Sequence, residues 1–405
     1  MDVRTRRRIP TDSLLEPALN RAGVPRLDAI DMLRGLVIAL MVLDHVRDFF
    51  HTDAFLFDPT DPTRTTPLLY ATRWVTHLCA PTFVFLCGVS AYLQRVNGKD
   101  PPTLSRFLLT RGVWLVLLEV TIVGFGFNMS LPFLFLQVIW AIGVGMIVLA
   151  ALVWLPPRVV LGIGVAIVAG HDLLSAIKAA DLGALAPVWR LAFQPGLLGA
   201  QLGFVAYPAI PWLGVMCLGY GLGHVFVQPA DQRRRTVLTL AIGALALFIV
   251  LRLLNRYGDP LPWARQSDAV RTLLSFFNVS KYPPSLLYVL VTLAISLTLM
   301  RWLERLRGLP ARVLLAYGRT PLFTYVLHIY VVHCAALLVG VANGFPASGF
   351  FGFLRDPSRL IAAHWGFGLA VVYLVWLLVL ALLYPPARWF AGVKRQRRDW
   401  WLSYF

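Results

Sequence analysis

Apolar runs long enough to cross a lipid bilayer as helices recur along almost the whole chain, and that recurrence limits the fold more than any motif does. A membrane-spanning helix needs roughly 17 to 25 mostly apolar residues. Such runs fall at about 29–50, 74–93, 107–127, 131–155, 159–177, 207–227, 237–254, 285–300, 314–339 and 362–384. Of the 405 residues, 58% are hydrophobic and only 14% charged, against about a quarter charged in a soluble domain. The sequence therefore predicts an all-α integral membrane protein of about ten transmembrane helices. Residues 1–28 and 386–405 are expected as basic cytoplasmic tails around a membrane domain at 29–385. A Gly- and Pro-interrupted stretch at 182–202 suggests an amphipathic or re-entrant helix.

The net charge of +17 does not point to nucleic acid. Lys and Arg lie in short segments between apolar runs, as the positive-inside rule expects, and the ten-span count puts them about two to one on one side. That side carries both termini. The amino-terminal segment has no short apolar stretch with a cleavage site, so the first span is expected to serve as an uncleaved signal. The cell's inner (plasma) membrane is the expected location, crossed many times. Cys79, Cys87, Cys217 and Cys334 sit inside apolar runs with no CxxC spacing, and no HExxH or HxxxH occurs, so no metal site is expected.

The first span carries the chemistry. Asp31 and Arg34 stand at its start, and Asp44, His45, Arg47, Asp48 and His51 crowd its end. Ionisable side chains inside a membrane helix are costly and mark function by default. At 100° per residue, Arg34 and His45 differ by only roughly 20° around the helix, with about 16 Å of rise between them. Asp31 falls within roughly 40° of the same stripe. A simpler reading of Asp31 and Arg34 is an interfacial ion pair at i,i+3 spacing. His45, deep in the span, is harder to account for that way. Imidazole, with an unperturbed pKa near neutrality, suits the removal of a proton from an attacking amine or hydroxyl, and Asp44 or Asp48 is placed to orient the ring.

The pattern of Asp31, Arg34, Gly35 and His45 resembles the first helix of two related groups of membrane acyltransferases, the acyltransferase-3 type and the heparan-alpha-glucosaminide N-acetyltransferase-like family. The second is the closer likeness. Pro81, Phe83, Val84, Phe85 and Gly88 resemble its second helix, and residues 207–214, 281–285 and 317–328 resemble further segments of its bacterial members. The resemblance implies transfer of an acetyl group from cytoplasmic acetyl-CoA to an amino or hydroxyl acceptor, a sugar or envelope glycan, on the outer side. It implies a histidine base, for which His45 and His51 both remain open. Arg34, Asp31, Gly35 and Arg319, with the pair Arg106 and Arg111, are expected at the donor end, where Arg suits phosphate through its planar fork. His77, Lys281 and His328 are expected at the acceptor site. No permanently bound cofactor is expected; acetyl-CoA enters as donor substrate. The expected partners are acetyl-CoA, a glycan or small-molecule acceptor and the bilayer, with a homodimer allowed and nucleic acid excluded. The rival reading is a proton-coupled transporter or flippase, in which the same buried ionisable residues form a path.

Overall fold

The computed structural model describes residues 26–131, 133–199, 202–397 and 399–405. Most of the expected amino-terminal tail, with Arg4, Arg6, Arg7, Arg8 and Arg21, lies outside the described residues. The chain forms a helical bundle. Its helices are α1 (Asp28–Phe50), α2 (Pro67–Val96), α3 (Pro101–Asn128), α4 (Val138–Leu152), α5 (Pro157–Ala176), α6 (Ala209–Val227), α7 (Ala230–Leu254), α8 (Leu286–Leu303), α9 (Gly308–Arg319), α10 (Pro321–Ala342) and α11 (Leu369–Gln396). Eight of them (α2, α3, α5–α8, α10 and α11) are long and apolar enough to cross a membrane. The protein is an all-α integral membrane protein. Helix α4 is apolar but shorter, and α1 carries the charges already noted.

Local signals set most helix starts. Thr66, Asp100 and Ser285 each accept a backbone N–H from the first turn that follows, and proline opens α2, α3, α5 and α10. Asp28 and Asp31 in the first turn of α1 and Arg47 in its last complement the helix dipole. Helix α1 is central: it touches α2, α8, α9, α10 and α11. By contrast α11 buries only 17% of its apolar window, against 72% for α2, and turns Leu374, Leu377, Leu378 and Leu382 outward. With no water in hydrocarbon, such a face suits lipid.

Four expected boundaries shift. Helix α2 begins at Pro67 rather than 74 and passes through a 3-10 turn at Thr76–Leu78. The expected span at 131–155 begins as a short strand, β1 (Leu134–Leu136), and turns helical only at Val138. The expected span at 314–339 breaks at Thr320, where Pro321 starts a new helix because its ring cannot continue the old one. The last helix starts at Leu369 and runs through Pro385 and Pro386 to Gln396, so the helix continues past residue 385. The stretch at 182–202 holds a helix of about two turns (Ala186–Ala192) and strand β2 (Gly196–Gly199). Strand β3 (Gly203–Val205) pairs parallel with β1, Leu134 opposite Gly203, and antiparallel with β2.

One contact fixes α1 to α9. A methyl group at Gly318 would collide with the Asp31 carbonyl, and one at Gly35 with the Leu314 carbonyl. The two glycines are therefore used for backbone-to-backbone approach of helices, the small-residue packing common in membrane bundles.

Candidate functional site

Both ends of α1 gather charge, and a cleft lies between them. At the start, Asp31 is 2% exposed and receives Arg26 at 2.6 Å and Arg34 at 3.1 Å. Arg319 lies 3.0 Å from Asp28 and 3.9 Å from Asp31. Arg34 also bonds the Ser90 hydroxyl on α2. Of the expected donor-binding set, Asp31, Arg34 and Arg319 thus come together, but as an ion-paired joint between α1, α2 and α9. A cavity of about 360 Å³ opens beside this joint, lined by Arg26, Asp28, Arg233, Arg234, Glu304 and Arg307.

At the far end, Asp44 is the hub. Arg73 reaches both of its oxygens at 2.8 Å, Arg47 approaches at 3.0 Å and Lys281 at 3.7 Å. Asp48 pairs with Arg47 at 2.7 Å. Neither carboxylate bonds a histidine ring, so the expected orienting role for Asp44 or Asp48 is not what the geometry offers. Arg73 and Arg47 take the oxygens of Asp44, and Asp48 accepts from Arg47. A polar cavity of about 410 Å³ adjoins this hub, lined by Arg73, His77, Lys281, Tyr282, Asp58 and Asp61 among others. His77 is 3% exposed, and its Nδ1 has no hydrogen-bond partner. The structure therefore places His77 and Lys281 on one cavity wall. Arg73 belongs with them. Sequence reasoning counted it as a loop cation because the helix start was set after it.

The ring of His45 turns the other way. Its Nδ1 lies 2.7 Å from Nε2 of His328, and the two rings stack at 5.0 Å between centroids with 7° between planes. Nδ1 of His328 faces the Thr324 carbonyl at 3.3 Å. A carbonyl only accepts, so His328 carries its proton on Nδ1 and accepts through Nε2. His45 then donates from Nδ1, and its own Nε2 holds the free lone pair. The partner that sets the tautomer of His45 is thus a histidine on α10. Tyr325, one turn before it, packs edge-on to His45 at 6.5 Å.

A narrow apolar cleft of about 80 Å³ shares Tyr325 with the surroundings of this pair and is lined also by Ile38, Met41, Cys87, Arg111 and Leu115 among others. Ile38, Met41 and His45 follow one another at helical spacing on α1, so the cleft climbs the stripe that joins Arg34 to His45. Arg111, one of the expected donor-end arginines, sits in the cleft lining.

His51 lies just past α1. Its Nδ1 accepts the Asp53 N–H at 3.1 Å, and its backbone bridges to Phe367. Burial pushes its pKa below the usual histidine value, against the opposing pull of Asp53. His333 is held between the carbonyls of Gly126 and Phe350, both at 2.8 Å, and ties α3 to the segment after α10. Sequence reasoning passed over Glu119. It is fully buried at 0% exposure in the middle of α3. The available signal was the lone acid in the run at 107–127.

Helices that enclose a buried histidine pair, an ionic hub and an apolar cleft make up a multi-pass membrane protein. Residues 26–256 match the model described as heparan-alpha-glucosaminide N-acetyltransferase, catalytic, which covers more than half of the sequence, and the chain belongs to this family of membrane acetyltransferases. No curated protein matches the chain. The matched region holds His45, Asp44, His51, His77 and Glu119, whereas Lys281, Arg319, Tyr325 and His328 lie beyond it.

Proposed function

We propose that the protein moves an acetyl group from acetyl-CoA to an amino or hydroxyl acceptor across a bacterial inner membrane, with His45 as the general base. The observation that carries this reading is the cleft. It lies against Ile38 and Met41, on the stripe of α1 between Arg34 and His45, and Tyr325 belongs both to its lining and to the surroundings of His45. An acetyl thioester lying in the cleft has its carbonyl near His45. The CoA nucleotide stays at the arginine end, where the cavity lined by Arg26, Arg233 and Arg234 supplies cationic partners for phosphate. CoA is a substrate here, and no resident cofactor is involved.

The acceptor enters from the end of the bundle that holds Asp44, through the polar cavity lined by His77 and Lys281. Its mixture of carboxylates and cations suits a polyhydroxylated or amino sugar better than an apolar molecule. As the acceptor attacks, Nε2 of His45 takes its proton, and His328 steadies the positive ring through the bond to Nδ1. Arg34, Asp31 and Arg319 hold the donor end by fixing α1 against α2 and α9. The experiment is acceptor-dependent release of CoA from acetyl-CoA by the purified protein in lipid nanodiscs, with a panel of amino sugars, hexoses and simple amines. Acetylated product in the mass spectrum is expected. Uptake of a panel member into proteoliposomes without acetylation would sink the proposal in favour of a transporter.

A further inference from the structure

Glu119 has no part in the chemistry described so far, yet its setting is unusual. Helix α3 is interrupted there by a π-turn, Glu119–Val123, a local widening that recurs at functional sites. One oxygen, Oε1, accepts the Gln137 N–H at 2.6 Å. That bond already satisfies the backbone group at the start of α4. The other oxygen, Oε2, is buried with no hydrogen-bond partner among the described residues, and so is the hydroxyl of Tyr325. Neither group bonds the other. They also flank the cleft: Leu115, one turn before Glu119, Val138, next to Gln137, and Tyr325 itself all line it. Tyr325 stands 6.5 Å from His45 and 5.4 Å from His328, ring to ring. Two orphaned polar groups flanking one cleft in an apolar bundle cost several kcal/mol.

We propose that Glu119 is the proton reservoir of the reaction, passing a proton through the Tyr325 hydroxyl to the sulfur that leaves. This rests on the acetyl-transfer reading above. The acceptor nitrogen or oxygen forms the bond to the acetyl carbon, and the C–S bond breaks with its electron pair going to sulfur. The acceptor's proton goes to Nε2 of His45. The sulfur takes the Tyr325 proton, Glu119 replaces it, and His45 restores Glu119 along the same hydroxyl. Over one turnover the acceptor's proton ends on the CoA thiol, and nothing else is consumed. The ionisable groups around the path are His45 on α1, Tyr325 and His328 on α10, Arg111 on α3 and, acting on Tyr325 from the loop before α8, Tyr282. Glu119 is a positioning and proton-holding residue, acting through Tyr325.

The test compares two donors, acetyl-CoA and S-acetyl-4-nitrothiophenol, whose thiolate departs without needing a proton. Glu119→Gln keeps the shape and the bond from Gln137 and removes the acid. It should slow transfer from acetyl-CoA by about 10² to 10³, the scale of general acid catalysis, and transfer from the aromatic thioester by less than about fivefold. Tyr325→Phe should show the same pattern, and it carries the test if Glu119→Gln fails to assemble. Equal slowing with both donors would reduce the pair to a structural role and overturn the proposal. Undiminished transfer from acetyl-CoA in both variants would also overturn it. A wild-type protein inactive with either donor would instead refute the acetyl-transfer reading, and the proton path with it.

Discussion

Removing His328 tests whether the histidine pair works as a unit. The 2.7 Å contact makes His328 the acceptor for Nδ1–H of His45, in a site where neither ring is more than 8% exposed. In His328→Leu that N–H is left buried and unpaired, a penalty of about 1 to 3 kcal/mol. If the penalty falls on the charged ring of the transition state, transfer slows by about 5- to 150-fold, at roughly 1.4 kcal/mol per tenfold. His328→Gln supplies a side-chain oxygen to the same N–H and should stay within about tenfold of wild type. His45→Ala removes the base and should cost about 10² to 10⁴. Since His328 acts through His45, the double variant His45→Ala/His328→Leu should be no slower than His45→Ala alone, a strong non-additivity. The assay is steady-state acetyl transfer in nanodiscs, with acetyl-CoA binding measured separately and expected to change little. Additive losses in the double variant, or a Gln variant as slow as the Leu variant, would refute the argument that His328 sets the tautomer of His45.

Three further outcomes follow from the same contacts. Asp44→Asn strips the carboxylate from Arg73 and Lys281, while Arg47 keeps Asp48, so two buried cations lose their partner at a cost of about 3 to 5 kcal/mol; heat unfolding in detergent should shift strongly down, and an unchanged midpoint would remove Asp44 as the hub. Gly318→Ala pushes a methyl group into the Asp31 carbonyl and should destabilise by about 1 to 3 kcal/mol, while Gly308→Ala, which would have open space around it but strained backbone, gives a control for simple backbone effects; equal unfolding midpoints for wild type and Gly318→Ala would show that α1 and α9 are not held by this approach. His51 has its pKa lowered by burial, so the folded protein resists protonating it: its contribution is intact above the unfolded value near 6.5 and declines as pH falls below that, and His51→Asn, which keeps an acceptor for the Asp53 N–H, should show a smaller drop in unfolding temperature between pH 7.5 and pH 5.5, whereas an equal drop in both proteins would refute the assignment.

The membrane class was legible from the sequence because runs of apolar residues at bilayer length have no other stable arrangement in bulk. The stripe of Arg34 and His45 was legible because helical spacing is local geometry, and the family likeness rested on short local motifs. What lay beyond reach was everything set by helices distant in the chain. That His45 is held by His328 across the bundle, while Asp44 is claimed by Arg73 and Lys281, depends on which faces of α2, α8 and α10 meet α1. Adjacent residues on one helix point about 100° apart, so neighbours in sequence can serve opposite walls. The strand at Leu134–Leu136 escaped hydropathy because an apolar run reads alike as helix or strand until its pairing partner is known, whereas the break at Thr320 had its signal in Pro321, which hydropathy does not weigh. Glu119 was visible as an acid in an apolar run; only the packed bundle decided that its second oxygen stands without a partner beside the cleft, because burial and pairing are properties of surroundings that chain order does not contain.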